Sequence, residues 1–435
     1  MTLNAPIAEH PLRRALQDEF HARPPIPLES PRLISYLAMH HEGEAPGLAA
    51  THLESLGELL GQPVKAEGPH QVIDFGHFSL KWELHTEFSS YTFFSPAPPL
   101  ADTPAQATAL EHVPDEWLAR IPGKLIAAAH LELRSTDELQ PADQIQRALA
   151  AGHQVVGVEV ADGSAWVFTD FLQENGFSRF LIIDSSLTRR QAGRTVQRLM
   201  EIETYRMMAL LGFPLAKSMG GMLTTAEQQL AGLMDMTCTA KSSEDERSVL
   251  SHLTALASEI EYSVSRSSFR FAATKAYHSL VLQRIDELRE ARIPGLLTFR
   301  EFMERRMRPA MNTCETMARR QEELSGRVAR NSQLLRTRVE VELERQNQEL
   351  LAQMNRRAKL QLHLQETVEG LSVVAITYYA SQLVQYMAKG VKHYIEPLTP
   401  EGLTAAAIPV IAALVAFGTH RMRKHLAALE GSSKA

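Results

Sequence analysis

The residues most able to do chemistry in this chain are its histidines, of which there are 17. None of them shows the His-Glu-x-x-His spacing of a metal site. His85 and Glu87 lie two residues apart in an alternating segment, so they share a strand face and could ligate a divalent ion. Metal sites need three or four ligands, which favours the interpretation of this pair as part of a polar solvent-facing or interdomain surface.

Motifs of nucleotide binding and of nucleophilic catalysis are absent from the sequence. It contains no Walker sequence, no Gly-x-Gly-x-x-Gly after a strand and no Gly-x-Ser-x-Gly elbow. We therefore predict that the protein is not an enzyme and has no catalytic residue, no bound metal and no cofactor.

Polar and aromatic side chains inside an apolar segment near the carboxyl terminus form a second candidate site. They are Tyr378, Tyr379, Gln382 and Gln385, followed by Lys389 and Lys392. Polar groups avoid lipid, so the first four would line a pore or pack against another helix, and packing is the commoner use. The two lysines would form an outer ring of positive charge, which would repel cations.

The elements that would position these residues are two stretches free of Asp, Glu, Lys and Arg, at residues 371–388 and 403–418. A helix that crosses a bilayer needs about 17 to 25 apolar residues. The two stretches therefore predict a transmembrane hairpin, with a first span at 371–388, an outer loop at 389–402 and a second span at 403–420. Polar residues such as Ser372 and Thr377 leave open a buried helical hairpin in a soluble core.

Basic residues flank this hairpin on its outer sides. Arg356, Arg357 and Lys359 precede the first span, and Arg421, Arg423 and Lys424 open a basic tail at 421–435. Positive flanks face the cytoplasm, so we expect a multi-pass protein of the cell inner membrane with both termini cytoplasmic. The first three cations would lie on a solvated helix face or contact anionic lipid head groups.

The composition limits the partners. The chain of 435 residues has a formal net charge of −6, which gives no sign of nucleic-acid binding. Its two cysteines are too few for a disulfide framework and fit a reducing compartment. Residues 1–20 lack the apolar core of a secretory signal. The expected partners are the lipid bilayer, further copies of the chain and an ion.

Residues 1–187 have the pattern of a cytosolic α/β or α+β domain. Strand patterns occur at 32–39, 124–133, 154–160, 165–171 and 179–183, and helical spacing at 45–60. Residues 78–84 alternate strictly, which predicts a half-buried strand that continues through Phe94.

Helices are predicted from residue 188 onward. Capping boxes occur at Thr188/Gln191, Thr224/Glu227, Ser243/Glu246 and Thr298/Glu301, in a helical region that we place at 188–308. Residues 309–370 then predict one long stalk helix that continues into the first span. Its apolar positions repeat every eleven residues, as in Val328, Val339 and Leu350. One narrow apolar seam on a polar helix needs partner helices, either within the chain or from other subunits in a coiled-coil homo-oligomer.

Several segments together resemble a family of bacterial membrane-anchored proteins classed as a domain of unknown function. They are residues 10–13 (HPLR), 18–25 (DEFHARPP), 81–88 (KWELHTEF), 338–340 (RVE), 344–347 (ERQN) and 365–379 (QETVEGLSVVAITYY). The resemblance covers almost the whole chain and implies no reaction.

The order of elements is also similar to that of CorA-type divalent-cation channels. The Gly-Met-Asn signature of those channels is missing, and residues 386–392 read YMAKGVK in its place. From the order of elements we expect an oligomeric integral membrane protein that conducts or regulates an ion. Because the signature is missing and shared architecture does not establish shared function, a membrane-anchored scaffold is the alternative. A soluble enzyme is the third and least favoured class.

Overall fold

The structure is a computed structural model, and it describes residues 10–21, 24–43, 47–100, 107–390 and 399–432. Two compact units are present, one consisting of Met1–Ala240 and Ser248–Ser332, the other of Lys241–Arg247 and Gln333–Ala435. The first unit contains a mixed sheet, which confirms the predicted α/β domain followed by a long helical region. Of the helical region predicted at 188–308, residues 188–240 and 248–308 fall in the same unit as the sheet.

The sheet has ten strands in the order β10-β6-β7-β9-β5-β1-β4-β3-β2, with β8 paired to β9. Neighbouring strands are antiparallel except β5 and β9, which are parallel. The strands are β1 (Arg32–His40), β2 (His70–Asp74), β3 (Ser79–Leu84), β4 (Phe88–Pro96), β5 (Lys124–Ser135), β6 (Val156–Val160), β7 (Ala165–Thr169), β8 (Gln173–Glu174), β9 (Phe177–Asp184) and β10 (Ala291–Arg292).

Short helices accompany the strands, and long helices follow them. The helices are α1 (Arg13–His21), α2 (Gly47–Leu59), α3 (Asp115–Leu118), α4 (Pro141–Ala150), α5 (Arg189–Leu210), α6 (Gly212–Thr239), α7 (Ser243–Leu288), α8 (Phe299–Gly390) and α9 (Pro400–Ser432). The last of these takes in the predicted second span and most of the predicted tail.

The centre of the sheet is buried because helices cover both of its faces. Ile34 and Tyr36 of β1 belong to a core that they share with α5, α7 and α8. Leu33 and Leu37 alternate with them and belong to a second core with α2 and Trp117. A strand buried on both faces has a continuous apolar sequence, which is why residues 32–39 predict a buried strand correctly.

The segment expected to form one strand from residue 78 to Phe94 forms two strands, β3 and β4, joined by His85, Thr86 and Glu87. The His85 N–H donates to the Phe88 carbonyl at 2.8 Å and closes this turn. None of the three joining residues is a Gly, Pro, Asn or Asp, so the sequence carries no turn signal there.

The observed starts of the helices show which of the predicted capping boxes are correct. Thr188 and Gln191 form a reciprocal box at the start of α5, as predicted. Thr224 lies inside α6, where its hydroxyl donates to the Gly220 carbonyl at 2.9 Å, so the box predicted there is wrong. At α7 the cap is one residue earlier than expected, because the Ser242 hydroxyl accepts from the Asp245 N–H at 3.2 Å.

The predicted stalk lies within α8, which begins ten residues earlier than expected. Glu301 N–H donates to the Thr298 hydroxyl at 3.1 Å, and Thr298 N–H donates to the Glu301 carboxylate at 3.2 Å. This predicted box therefore opens the long helix itself. Pro309 lies inside α8 rather than at its start, and it removes one N–H from the helical hydrogen-bond ladder.

The apolar seam of α8 is covered within the chain over its first half and exposed over its second half. The exposed fraction is 1% for Leu324, 1% for Val328, 2% for Leu335 and 9% for Val339. It rises to 39% for Leu343, 57% for Leu350 and 65% for Met354. The first half of the seam therefore needs no second copy of the chain.

Candidate functional site

One helix in the described part of the chain is long and apolar enough to cross a bilayer. It is Glu401–Arg421 within α9, with a mean hydropathy of 1.9 and none of it buried. The predicted first span forms the end of α8 and is less apolar, because Ser372, Thr377, Ser381, Gln382 and Gln385 interrupt it. The expected two-span hairpin is therefore corrected to a single candidate span, and the CorA-like topology is not supported.

The end of α8 exposes large apolar side chains, whereas one small polar residue, Ser381, is buried. The exposed fractions of Leu371, Val374, Leu383 and Met387 lie between 64% and 72%, whereas Ser381 is 8% exposed. The predicted site residues divide in the same way. Tyr378 and Tyr379 are exposed, with ring centroids 5.7 Å apart, while Gln382 and Gln385 are half-buried.

The predicted basic residues are distributed over α8 and α9. Arg356, Arg357 and Lys359 are exposed on α8, and Lys389 is exposed in its last turn. Lys392 lies outside the described residues. Arg421 is exposed, and Arg423 and Lys424 lie within α9, which continues to Ser432.

A cavity of about 320 Å³ lies in the first unit between the sheet and α5. Strands β1, β3 and β4 form its floor, and α5 with Arg284 of α7 forms its opposite wall. Its polar lining includes Lys81, Glu83, Ser90, Thr92, Gln197 and Glu201. This volume is at the lower end of the range for small-molecule sites, about 300 to 1,000 Å³.

Lys81 and Glu83 form a buried ion pair on the cavity floor. The Lys81 Nζ and Glu83 Oε1 atoms are 2.9 Å apart, and the two side chains are 5% and 10% exposed. Side chains alternate along a strand, so both residues face α5 while Leu80 and Trp82 face the core shared with α2. Ser90 donates a further hydrogen bond to Glu83 Oε2 at 3.4 Å.

The opposite wall continues these contacts as a chain of polar side chains. Lys81 Nζ donates to Gln197 Oε1 at 3.5 Å, and Gln197 Nε2 donates to Glu201 Oε1 at 2.8 Å. Glu201 pairs with Arg284, which also pairs with Glu287 at 2.8 Å. The cavity is therefore lined by two cations and two anions, each beside a group of opposite sign.

A phenol and an imidazole also contribute to the polar lining. The Tyr36 hydroxyl lies 2.7 Å from the Thr204 hydroxyl, and burial raises the pKa of Tyr36 far above its usual value. Tyr36 therefore stays neutral at physiological pH. His85 stacks on Phe88 with ring centroids 4.3 Å apart.

Helix α5 lies close to the chain that precedes β1. A Cβ atom added to Gly193 would lie 1.9 Å from the Ile26 carbonyl oxygen. Glycine is the only residue without a Cβ, so it permits this approach. Both residues line the cavity, so this close approach forms part of the cavity lining.

The pair His85 and Glu87, considered above as ligands, takes separate roles in the turn between β3 and β4. His85 stacks on Phe88, and Glu87 forms an ion pair with Arg270 of α7. Within the described ranges, no group of three or more His, Cys, Asp or Glu side chains is placed to hold a metal ion.

The cavity was not predicted from the sequence, because its polar residues alternate with apolar ones in the way that is typical of a strand with one face in solvent. Alternation correctly places Lys81 and Glu83 on one face, but β3 is buried on both faces. The capping box at Thr188 correctly predicts where α5 begins. Nothing in the sequence indicates which face of which strand α5 covers.

One family of known sequences matches nearly the whole chain. No significant match is found among curated proteins or among solved structures. The model of the family described as "Protein of unknown function (DUF3422)" matches residues 8–426, from before α1 to within α9. The resemblance to an uncharacterised family is thereby confirmed, and the chain belongs to the DUF3422 family.

Proposed function

We propose that this chain is a membrane-anchored protein in which α9 inserts into a lipid bilayer and the sheet-containing unit lies in the aqueous phase. The observation that carries the proposal is the segment Glu401–Arg421, which has 21 residues and no buried part. At about 1.5 Å per residue it is about 32 Å long, which matches a hydrocarbon core of about 30 Å.

The side chains of α9 support this placement. Ile408, Val410, Leu414 and Phe417 are between 44% and 66% exposed. Soluble monomers rarely leave a contiguous apolar surface of this kind in water. A bilayer would cover these side chains, and Arg421 would lie at the membrane boundary.

A second span at residues 371–388 is the finer form of the proposal. It is favoured by the exposed side chains of Leu371, Val374, Leu383 and Met387 at the end of α8. With two spans, both termini would be cytoplasmic, in an inner-membrane protein. With one span, the termini would lie on opposite sides of the membrane.

Extraction and labelling test both forms. We expect the full chain to resist alkaline carbonate extraction, and a chain that ends at Gly390 to be extracted if α9 is the sole anchor.

A labelling experiment tests the number of spans. A single cysteine is added after Ala435 in a Cys238→Ser, Cys314→Ser background. Labelling of that cysteine by an impermeant maleimide outside intact spheroplasts indicates one span, and protection until lysis indicates two. Release of the full chain by carbonate would overturn the proposal that α9 anchors the protein in the membrane.

Ion conduction by an oligomer is a second candidate function. The observation that favours it is the polar stripe of Ser381, which is buried, and Gln382 and Gln385, which are half-buried, beside an exposed apolar face. Purified protein in liposomes would then carry ion flux, and Lys389→Glu would shift its selectivity toward cations. Gln385→Leu would lower the flux. Absence of flux above empty liposomes for monovalent cations, divalent cations and chloride would leave the anchored scaffold.

A further inference from the structure

We infer that the cavity between β3 and α5 is a binding site for a small zwitterion of the α-amino acid class. The inference goes beyond membrane anchoring, because it concerns the sheet-containing unit alone. It is based on the sign, burial and unused hydrogen-bonding capacity of the groups that line the cavity.

A gain in stability is a weak explanation for the ion pair on the cavity floor. Charges buried as deeply as Lys81 and Glu83, at 5% and 10% side-chain exposure, lose most of their hydration. Apolar residues of similar size commonly give equal or greater stability at such positions. The pair therefore suggests recognition of a polar molecule.

Both members of the pair keep hydrogen-bonding capacity that faces the cavity. An ammonium group has three donors. Lys81 donates to Glu83 at 2.9 Å, and its second contact, to Gln197, is long at 3.5 Å. Glu83 Oε2 has only a 3.4 Å contact from Ser90, although a carboxylate oxygen can accept two hydrogen bonds. A carboxylate and an ammonium of one ligand would meet this remaining capacity.

Charge balance selects a zwitterion over an ion. The lining holds Lys81 and Arg284 as cations, and Glu83 and Glu201 as anions. A ligand with one net charge would leave that charge uncompensated in a partly dry site, which is costly. A zwitterion places its carboxylate toward Lys81 and Arg284 and its ammonium toward Glu83 and Glu201, with no net charge to neutralise.

The remaining lining suits an apolar side chain of modest size. Phe88, Phe94, Val196 and Met200 contribute aromatic and aliphatic surface to the same cavity. The volume of about 320 Å³ fits a single small molecule. An α-amino acid with an aromatic or aliphatic side chain combines the required charges and size.

Titration calorimetry on the full chain in lipid nanodiscs tests the inference, with L-phenylalanine as the probe. Two analogues each lack one charge: 2-phenylethylamine has no carboxylate, and 3-phenylpropanoate has no ammonium. Sorbitol serves as an uncharged polar probe. We expect L-phenylalanine to bind at least tenfold more tightly than either analogue, and sorbitol not to bind. Equal binding of an analogue, binding of sorbitol alone, or no heat from either L-phenylalanine or L-leucine would overturn the inference.

Variants locate the binding event in the cavity. Lys81→Met should weaken binding of L-phenylalanine at least tenfold, and Lys65→Met, which changes an exposed lysine, should not. Because Lys81→Met leaves Glu83 without its partner, Thr92→Val and Gln197→Met provide tests that keep the ion pair. Each should weaken binding with the fold retained, as judged by circular dichroism. Unchanged affinity in both would place the bound molecule elsewhere and overturn the inference.

Discussion

Ser267 of α7 and Gln321 of α8 form a buried hydrogen bond between the two helices. The Ser267 hydroxyl donates to Gln321 Oε1 at 3.0 Å, and the two residues are 1% and 4% exposed. Gln321 Nε2 also donates to the Ser263 hydroxyl at 3.0 Å. The Gln321 amide therefore links α8 to two successive turns of α7, at Ser263 and Ser267.

Replacing Gln321 by Leu should lower the free energy of unfolding by about 1 to 3 kcal/mol, because it removes both hydrogen bonds of the Gln321 amide, to Ser267 and to Ser263. Urea unfolding monitored by tryptophan fluorescence measures this. The three tryptophans, at positions 82, 117 and 166, all lie in the sheet-containing unit. Gln228→Leu, at an exposed position of α6, is the matched control and should change the value by less than about 0.5 kcal/mol.

The ion pair of the cavity floor makes a different stability prediction. Glu83→Gln should cost about 3 to 5 kcal/mol, because it leaves the Lys81 ammonium buried without an anion. The double variant Lys81→Met, Glu83→Leu should recover most of that loss, since it removes both charges. The same urea titration measures both variants. A double variant as unstable as the single one would show that the pair is a net source of stability.

Self-association through α8 should depend on the second half of the seam only. Leu350→Asp with Met354→Asp places charges on exposed apolar positions and should lower the mass measured by light scattering in detergent. Gln348→Asp adds a charge at an exposed position outside the seam and should leave the mass unchanged. A single-chain mass for the unchanged protein would show that this surface does not join subunits. Val339 is unsuitable for this test because it is 9% exposed within the chain itself.

Stability should fall in mild acid because of His130. Burial, with a smaller contribution from the charge of Arg179, lowers the pKa of His130 to about 4, from an ordinary value near 6.5. Between these values the unfolded chain binds the proton and the folded chain does not, so the free energy of unfolding decreases as pH falls from about 6.5 to 4.

The urea midpoint measured from pH 7 to pH 4.5 tests this effect. His130→Asn should flatten the dependence, although His40, His52 and His278, whose pKa values are also lowered, keep part of it. His252→Asn changes an exposed histidine and should leave the slope as it is. An unchanged slope in His130→Asn would assign the acid sensitivity to other groups.

The sequence predicts local structure well where one interaction decides it. The run at residues 32–39 and the capping box at Thr188 give β1 and the start of α5, because burial and cap hydrogen bonds are local signals. The break between β3 and β4 is not predicted, since its residues are not turn formers. The sheet order is not readable either, because pairs such as β1 with β5 join residues that are distant in sequence.

The apolar surface of α9 can be predicted from the sequence, whereas the cavity between β3 and α5 cannot. Exposed apolar side chains of α9 follow from composition, so the bilayer contact is a prediction that sequence alone can make. The cavity is formed where α5 covers β3, and the charges that line it come from three separate elements. Lys81 and Arg284 are about two hundred positions apart, and no local pattern connects them.

The closeness of α5 to Ile26 has a consequence for comparing members of the family. Because a Cβ at position 193 would overlap the Ile26 carbonyl oxygen, a relative with alanine there must shift either α5 or the segment around Ile26. Both segments line the cavity, so its shape would change with that shift. The residue at position 193 therefore indicates, in any related sequence, whether this close approach can be kept.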